Sequence, residues 1–384
     1  MNICIFGSSF LPQRGGMEYV MHHLATALHQ LGNDVTVIAE RVRWEPVGVE
    51  HDYRLIRYGP AIRGLRGVGL EYISGLLAVL RAHMQNPFDV IHCHGVAIGG
   101  RRAAVLKKWL NIPLVMTPHG EDIQRIPEID YGLRLDPRWD RAIKRNLDAA
   151  DAVTAISASV ARELTHIDQE KIFPVANGIH LSNYGKRSSN FLHDRLNLDR
   201  DTSIILSVGR NHIKKGYAYG IKAVERLLAD NPDMNLHYAL VGRGVSELAP
   251  LVTEKRLGKT VSLIEEVSPD QVRECYHSSH VFFSPSIIEG LSLVSIEAIA
   301  CGLPLVVTNV PGNEDIVQEN DCGLIVESKN PDDMARGLHT LLSNKEMREA
   351  FGKKALVSAR SYDWLKIAER YCDVYARITN PQAH

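Results

Sequence analysis

Ser203-Ile-Ile-Leu-Ser-Val-Gly-Arg-Asn-His-Ile-Lys-Lys-Gly-Tyr217 is the stretch on which the fold of this 384-residue chain turns. Residues 204–208 form a continuous apolar run too short for a helix, and Gly209 ends it. Residues 217–228 then place apolar side chains at helical spacing. A second apolar run fills 236–241, and others follow at 261–264, 281–284 and 305–308. Strands that are apolar on both faces and joined by helices predict a parallel sheet covered on both sides.

The same alternation fills the earlier half. Strand-like runs occupy 3–6, 35–39, 90–93, 114–117, 152–155 and 171–175. Between the first two, Val20, Leu24, Ala27, Leu28 and Leu31 share one helical face, and Gly32 stops the helix. The polar stretch 182–201 separates the two series and reads as the connection between domains. The expectation is an α/β protein of two Rossmann-like, doubly wound domains, 1–185 and 186–361. Such sheets bind ligands outside the carboxyl ends of their strands, here in a cleft between the domains. Residues 362–384 follow as a helical end with the apolar stripe Ile367, Ala368, Tyr371, Val374 and Tyr375.

Composition narrows the function. Hydrophobic residues make up 45% and charged residues 23%, as in ordinary globular domains. Lys and Arg number 44 against 45 Asp and Glu, so a nucleic-acid partner, which calls for a strongly positive surface, is not expected. The six cysteines are scattered without a C-x-x-C pair, which indicates neither a zinc site nor a disulfide framework and suits a reducing compartment. Residues 2–6 start a strand with no basic lead or cleavage site, and no run is long enough to span a bilayer, so a cytoplasmic location is expected. One local asymmetry stands out. Residues 54–108 hold nine basic side chains (Arg54, Arg57, Arg63, Arg66, Arg81, Arg101, Arg102, Lys107, Lys108) and two acidic ones (Glu71, Asp89). Next to the apolar run 70–80, they suggest peripheral contact with an anionic membrane face; a solvated face or an anionic acceptor site is the alternative.

Two stretches carry chemistry. In Gly209–Gly216, Arg210 and Lys215 stand between a strand and a helix N-terminus, where free amides and the helix dipole favour an anion and two cations suit a diphosphate. In the second, Glu289 lies in a loop after a strand, Gly290 permits close backbone approach, Ser292 is the expected N-cap, and Glu297 sits within the helix. Two carboxylates beside an anion site make sense if they accept hydrogen bonds from hydroxyl groups. That describes a polyol joined to a phosphate, as in a nucleotide sugar. His92 and His94 follow a strand with their side chains on one side, yet no third metal ligand is evident, so a hydrogen-bonding or acceptor-side role is expected.

Taken together, Glu289…Glu297, the Arg210…Lys215 pair and the loop Gly15-Gly16-Met-Glu18 resemble the GT-B glycosyltransferases of family 4. Asp89-Val-Ile-His-Cys-His94, Thr117-Pro-His-Gly-Glu-Asp122, residues 150–157 and Val175-Ala-Asn-Gly-Ile179 agree in order. The resemblance implies a GT-B fold and retaining sugar transfer from a nucleotide sugar, expected to be a UDP-sugar, with no metal or other cofactor. The acceptor would be a hydroxyl of a glycan, glycolipid or small molecule. It implies that Arg210 and Lys215 bind the diphosphate, Glu289 the donor-sugar hydroxyls and Glu297 the ribose. It also implies that amides around Gly290 and Leu291 touch phosphate and sugar. His119 would stand near the reaction centre, and Gly15 and Gly16 would border the donor phosphates. Ser292 replaces a frequent second glycine, and Val267 and Val294 would line the base pocket. Glu121 and Asp122, with His94, are acceptor-side candidates. The last helix is expected to return to the first domain. A nucleotide-sugar epimerase and a non-catalytic nucleotide-sugar binder are the rival readings.

Overall fold

The computed structural model describes residues 1–12, 15–41, 51–59, 70–185, 187–265 and 267–380, with backbone only at 70–72. The chain forms two compact units, Met1–Gly178 with Trp364–His384, and Ile179–Asp363. The chain therefore passes between units at 178/179 and 363/364, where the sequence reading set 185/186 and 361/362.

In the first unit seven parallel strands line up as β3-β2-β1-β4-β5-β6-β7. They are β1 (Asn2–Gly7), β2 (Asp34–Glu40), β3 (Arg54–Tyr58), β4 (Val90–His94), β5 (Leu114–Thr117), β6 (Ala152–Ala155) and β7 (Ile172–Pro174). The second unit has β8 (Ser203–Val208), β9 (Leu236–Val241), β10 (Val261–Ile264), β11 (Val281–Ser284), β12 (Leu305–Thr308) and β13 (Gly323–Val326), ordered β10-β9-β8-β11-β12-β13. In both sheets the winding reverses beside the first strand, between β1 and β4 and between β8 and β11. Loops diverge at such a point and leave a crevice outside the carboxyl ends. In the first sheet Gly7 pairs with His94 and His94 with Thr117, which sets the three strand ends in one row.

β3 and β13 were not foreseen. Both are edge strands with half-exposed residues: Arg54 and Arg57 break the apolar pattern of β3, and in β13 only Leu324, Ile325 and Val326 follow Gly323. The polar stretch 182–201 is not a free connection. It belongs to the second unit, where Arg187 pairs with Glu274 at 2.7 Å, Ser189 Oγ donates to the same carboxylate at 2.6 Å, and Leu192 is buried in the short helix Phe191–Leu196. Composition misleads there because the short surface helix buries only two residues, one of them the polar His193.

The final helix, Trp364–Thr379, packs on the helix Gly16–Gln30 and buries Trp364, Ile367, Ala368, Tyr371, Val374 and Tyr375 in the first unit's core. Each large apolar side chain so buried contributes roughly 1.5–3 kcal/mol of transfer free energy. Gly178 makes room for it: a Cβ there would lie 2.7 Å from the Trp364 ring.

The basic stretch resolves into different fates. Arg57 donates to the carbonyls of Leu11 and Glu40, Arg54 to Gln85, and buried Arg102 to the Tyr58 hydroxyl at 2.8 Å. Lys107 pairs with Asp151 at 2.7 Å. Arg81, Arg101 and Lys108 are exposed, and Arg63 and Arg66 lie outside the described residues. Among the described residues no helix is long and apolar enough to cross a membrane.

Candidate active site

The two predicted loops of the second unit meet at the β8/β11 crevice. Lys215 Nζ donates to Glu289 Oε1 at 2.6 Å, and Ser286 Oγ donates to the same oxygen at 2.9 Å. Both partners are largely buried, at 16% and 7% side-chain exposure, so this ion pair is shielded far more than a surface one. Burial alone would raise the Glu289 pKa. The Lys215 and Lys214 charges and the Lys215 and Ser286 hydrogen bonds outweigh it and hold the carboxyl below its usual range. Arg210 directly follows Gly209, is exposed, and has no partner among the described residues.

Glycine makes this approach possible. Gly216 has φ +62°, and a Cβ on it would lie 2.0 Å from the Pro285 carbonyl oxygen. Gly216 is also the N-cap of the helix Tyr217–Asp230, whose first amides open toward the same place. From the other side, the Glu289 amide donates to the Pro311 carbonyl at 3.1 Å and the Ser292 amide to Gly312 at 3.3 Å. Gly312, with φ +76°, sits directly behind Glu289 and Gly290.

Glu297 projects from the helix Leu293–Ala300. Burial pushes its pKa up, while the Tyr276 and Tyr184 hydroxyls pull it down as hydrogen-bond donors. The Tyr276 bond is 2.8 Å, and the same hydroxyl lies 3.2 Å from the Val294 carbonyl. Ser292 stands at the N-cap, but its hydroxyl accepts from Ser295 Oγ at 2.8 Å and from no helix amide. Leu291 and Val267 are half-buried. Tyr276→Phe is expected to cost about 1–2 kcal/mol through the lost bond. A carboxyl with a raised pKa adds stability while protonated and loses it as pH rises through the folded value. The variant raises that pKa further, so urea melts should show a larger deficit at about pH 8 than at about pH 5.

In the first unit, the β1/β4 crevice gathers Gly15, Gly16, Glu18, His94, His119 and Asp122. Gly15 is the N-cap of the helix Gly16–Gln30, and a Cβ there would press on the Glu18 carboxylate, which accepts from Ser9 Oγ. A Cβ on Gly16 would meet nothing within 4 Å. Asp122 clamps two loops: Oδ1 accepts from the His119 and Gly120 amides at 2.9 and 3.2 Å, and Oδ2 from the Val96 amide at 2.9 Å. Glu121 is exposed. His94 is fully buried, with Nδ1 2.8 Å from His119 Nε2. Burial holds the His119 pKa below the usual imidazole range, against the pull of the Asp122 and Glu18 carboxylates. His92 is committed on both nitrogens, to the Tyr375 hydroxyl and Thr117 Oγ1 at 2.7 Å each. Burial, then the nearby His119, lowers its pKa to about 3.

Sequence reasoning missed Ser286, Tyr276, Tyr184, Gly312 and Tyr375. Ser286 lies only three residues before Glu289 and left a local trace; the others act on a site residue across a long sequence separation.

Comparison with known proteins agrees with this architecture. Residues 14–183 match the family described as Glycosyltransferase Family 4, and 188–357 match Glycosyl transferases group 1. A D-inositol 3-phosphate glycosyltransferase of Kineococcus radiotolerans is 27% identical over 96% of this chain and 92% of its own. The enzyme of that name from Thermobispora bispora is 26% identical over 94% and 89%. Sucrose-phosphate synthase of Thermosynechococcus elongatus superposes with a TM-score of 0.80 at 21% identity, covering 100% of both chains. HepE of Anabaena, solved with UDP and glucose, superposes at 0.79 and 17% identity, covering 98% of this chain and 99% of its own. Two parallel sheets wound about matching switch points, with both halves matched in order, make this chain a glycosyltransferase enzyme of the GT-B class, belonging to Glycosyltransferase Family 4 in its first half and to Glycosyl transferases group 1 in its second.

Proposed function

We propose that this glycosyltransferase transfers a sugar with retention, and without a metal, from a UDP-sugar to a hydroxyl of a glycan, glycolipid or small acceptor. The observation that carries the reading is the buried Lys215–Glu289 pair at the β8/β11 crevice, with Arg210 unpartnered beside it. A buried carboxylate oriented by a cation and a serine hydroxyl is an ionised acceptor of the kind that binds sugar hydroxyls. Lys215 and Arg210 then face the diphosphate. When the bond from the anomeric carbon to the phosphate oxygen breaks, charge grows on that oxygen, and fixed cations with helix-end amides stabilise it. The acceptor oxygen bonds to the anomeric carbon on the same face, and its proton passes to the departing phosphate. Glu297 takes the ribose hydroxyls, and Gly290 and Leu291 offer amides. His119, Gly15 and Gly16 serve from the first unit, the acceptor side. HepE's complex with UDP supports the choice of base.

The test is a mass-shift screen of UDP-, GDP- and ADP-sugars with sugar and lipid acceptors, in EDTA. The expected result is a UDP-sugar consumed only when acceptor is present, with the anomeric configuration kept in the product. Conversion of the nucleotide sugar without acceptor would establish the epimerase instead. Donor binding without turnover would establish a non-catalytic binder.

A lipid-linked acceptor fits one surface. The packed helices Leu70–Gln85 and Ile98–Leu110 expose Ile73, Leu77, Met84 and Trp109 together with Arg81, Arg101 and Lys108. Mixed apolar and basic faces dock on anionic bilayers. Sedimentation with phosphatidylglycerol vesicles should pull down the protein, and phosphatidylcholine vesicles should not. Trp109→Ser combined with Arg81→Ser should weaken that partition about tenfold, given roughly 1 kcal/mol per basic residue near the surface and more for the indole. Equal partition by the variant would remove this face from the account.

A further inference from the structure

Three histidine rings run in series at the ends of β4 and β5. His92 and His94 lie 4.2 Å apart between ring centroids, and His94 and His119 lie 5.1 Å apart at an interplanar angle of 23°. His92 uses both nitrogens, as described above. His94 uses one: Nδ1 faces His119 Nε2 at 2.8 Å, while its Nε2 is buried with no partner.

A neutral imidazole has one N–H and one bare nitrogen. Burial, with His92 and His119 alongside, holds the His94 pKa well below the ordinary value, so its ring is neutral. A single proton therefore lies between His94 Nδ1 and His119 Nε2, and two assignments exist. If His119 supplies it, the proton of His94 must sit on the buried Nε2 with no acceptor, an orphaned N–H of the kind folded proteins rarely keep. If His94 supplies it, its Nε2 is a bare lone pair, and the proton of His119 must sit on Nδ1. The second assignment leaves no buried donor unmet.

We propose that His94 is a positioning residue that donates its Nδ1–H to His119 Nε2 and thereby fixes His119 as the Nδ1–H tautomer, a hydrogen-bond donor that cannot serve as a base. This rests on the reading that His119 stands at the reaction centre, and it deepens that reading. With Nε2 occupied and Nδ1 protonated, His119 has no lone pair for the acceptor's proton. It can donate to an oxygen of the donor sugar or of the acceptor. The proton of the acceptor hydroxyl must then go elsewhere, as it does in transfer to the departing phosphate. His92 supports the arrangement from behind, since its own ring is pinned between Tyr375 and Thr117.

The test is the long-range 1H–15N spectrum of the full chain labelled with 15N-histidine, with His119 assigned by its loss in His119→Gln. The expected spectrum shows His119 protonated at Nδ1 and bare at Nε2. A His119 protonated at Nε2 overturns the proposal, and the wild-type spectrum alone decides this, whether or not any variant folds. In His94→Phe the restraint is gone. His119 should then shift toward the Nε2–H form, and kcat should fall about ten- to a hundred-fold while the donor KM changes little, as for a group acting only in the transition state. His94→Asn, whose amide can donate from the place of Nδ1, should recover much of the loss. A His94→Phe enzyme with wild-type kcat, or with an unmoved His119 tautomer, overturns the positioning role. Failure of the sugar-transfer reading looks different: wild-type protein then forms no glycosylated product with any donor, whatever the His119 tautomer.

Discussion

Lys215→Met is expected to abolish measurable UDP binding and to lower kcat/KM by about 10²–10³-fold, the usual cost of removing one fixed donor from a site of developing charge. The same change leaves Glu289 buried without its cation. Breaking one side of a buried pair costs about 3–5 kcal/mol, because the remaining charge has lost its compensation. The pH dependence of that deficit has a definite sign. In the wild type the Glu289 pKa is held down, so its ion pair contributes stability above the unfolded carboxylate value and loses it as pH falls through the folded one. In the variant, burial acts with less opposition and pushes the carboxyl up. The gap between wild type and variant should therefore be largest near neutral pH and shrink toward about pH 4, where Glu289 is already protonated in the variant and the wild-type ion pair is only beginning to be lost. Urea melts at both pH values check it. Lys215→Met with Glu289→Gln should regain stability without regaining activity, which separates the structural cost from the chemical one.

Gly216→Ala is the second large effect. The position lies in the left-handed region, and its Cβ would collide with the Pro285 carbonyl. Strain and collision together are expected to cost about 3 kcal/mol or more. For a unit of this size that lowers Tm by about 6–12 °C. Relief requires the Lys215 loop and the Glu289 loop to separate, so transfer should fall along with stability. Gly16→Ala is the control: its Cβ enters open space, and Tm should stay within about 2 °C of wild type. A Gly216→Ala protein with wild-type Tm and turnover would mean that the close approach of these loops is not required.

Much of this was legible in the sequence because it is local. Central strands of parallel sheets are continuous apolar runs, and those at 114–117, 152–155, 236–241, 281–284 and 305–308 agree with the structure to the residue, as does the edge strand at 261–264. The edge strands β3 and β13 escaped, the first because Arg54 and Arg57 interrupt it and the second because its apolar run is three residues long and follows Gly323. Arg210, Lys215 and Glu289 could be singled out because each lies where a strand passes into a loop or helix, and Glu297 because it sits in the helix that follows Glu289. What sequence could not supply was the pairing. Nothing in Gly209–Gly216 says that Lys215 reaches a carboxylate on another loop, or that Tyr276 and Tyr184 converge on Glu297. The basic stretch shows the opposite error: Arg102 and Arg57 are charged in the sequence yet are committed within the fold, Arg102 to the buried Tyr58 hydroxyl and Arg57 to the carbonyls of Leu11 and Glu40.

The central claim is that protein cations grip the donor diphosphate while the carboxylates serve hydroxyl groups. Calorimetric titration of UDP, in EDTA, into wild-type protein and Lys215→Met tests it most directly. The account predicts binding by the wild type that is indifferent to EDTA and strongly weakened by added salt, and none by the variant. UDP binding that vanishes in EDTA, or that survives intact in Lys215→Met, would contradict it.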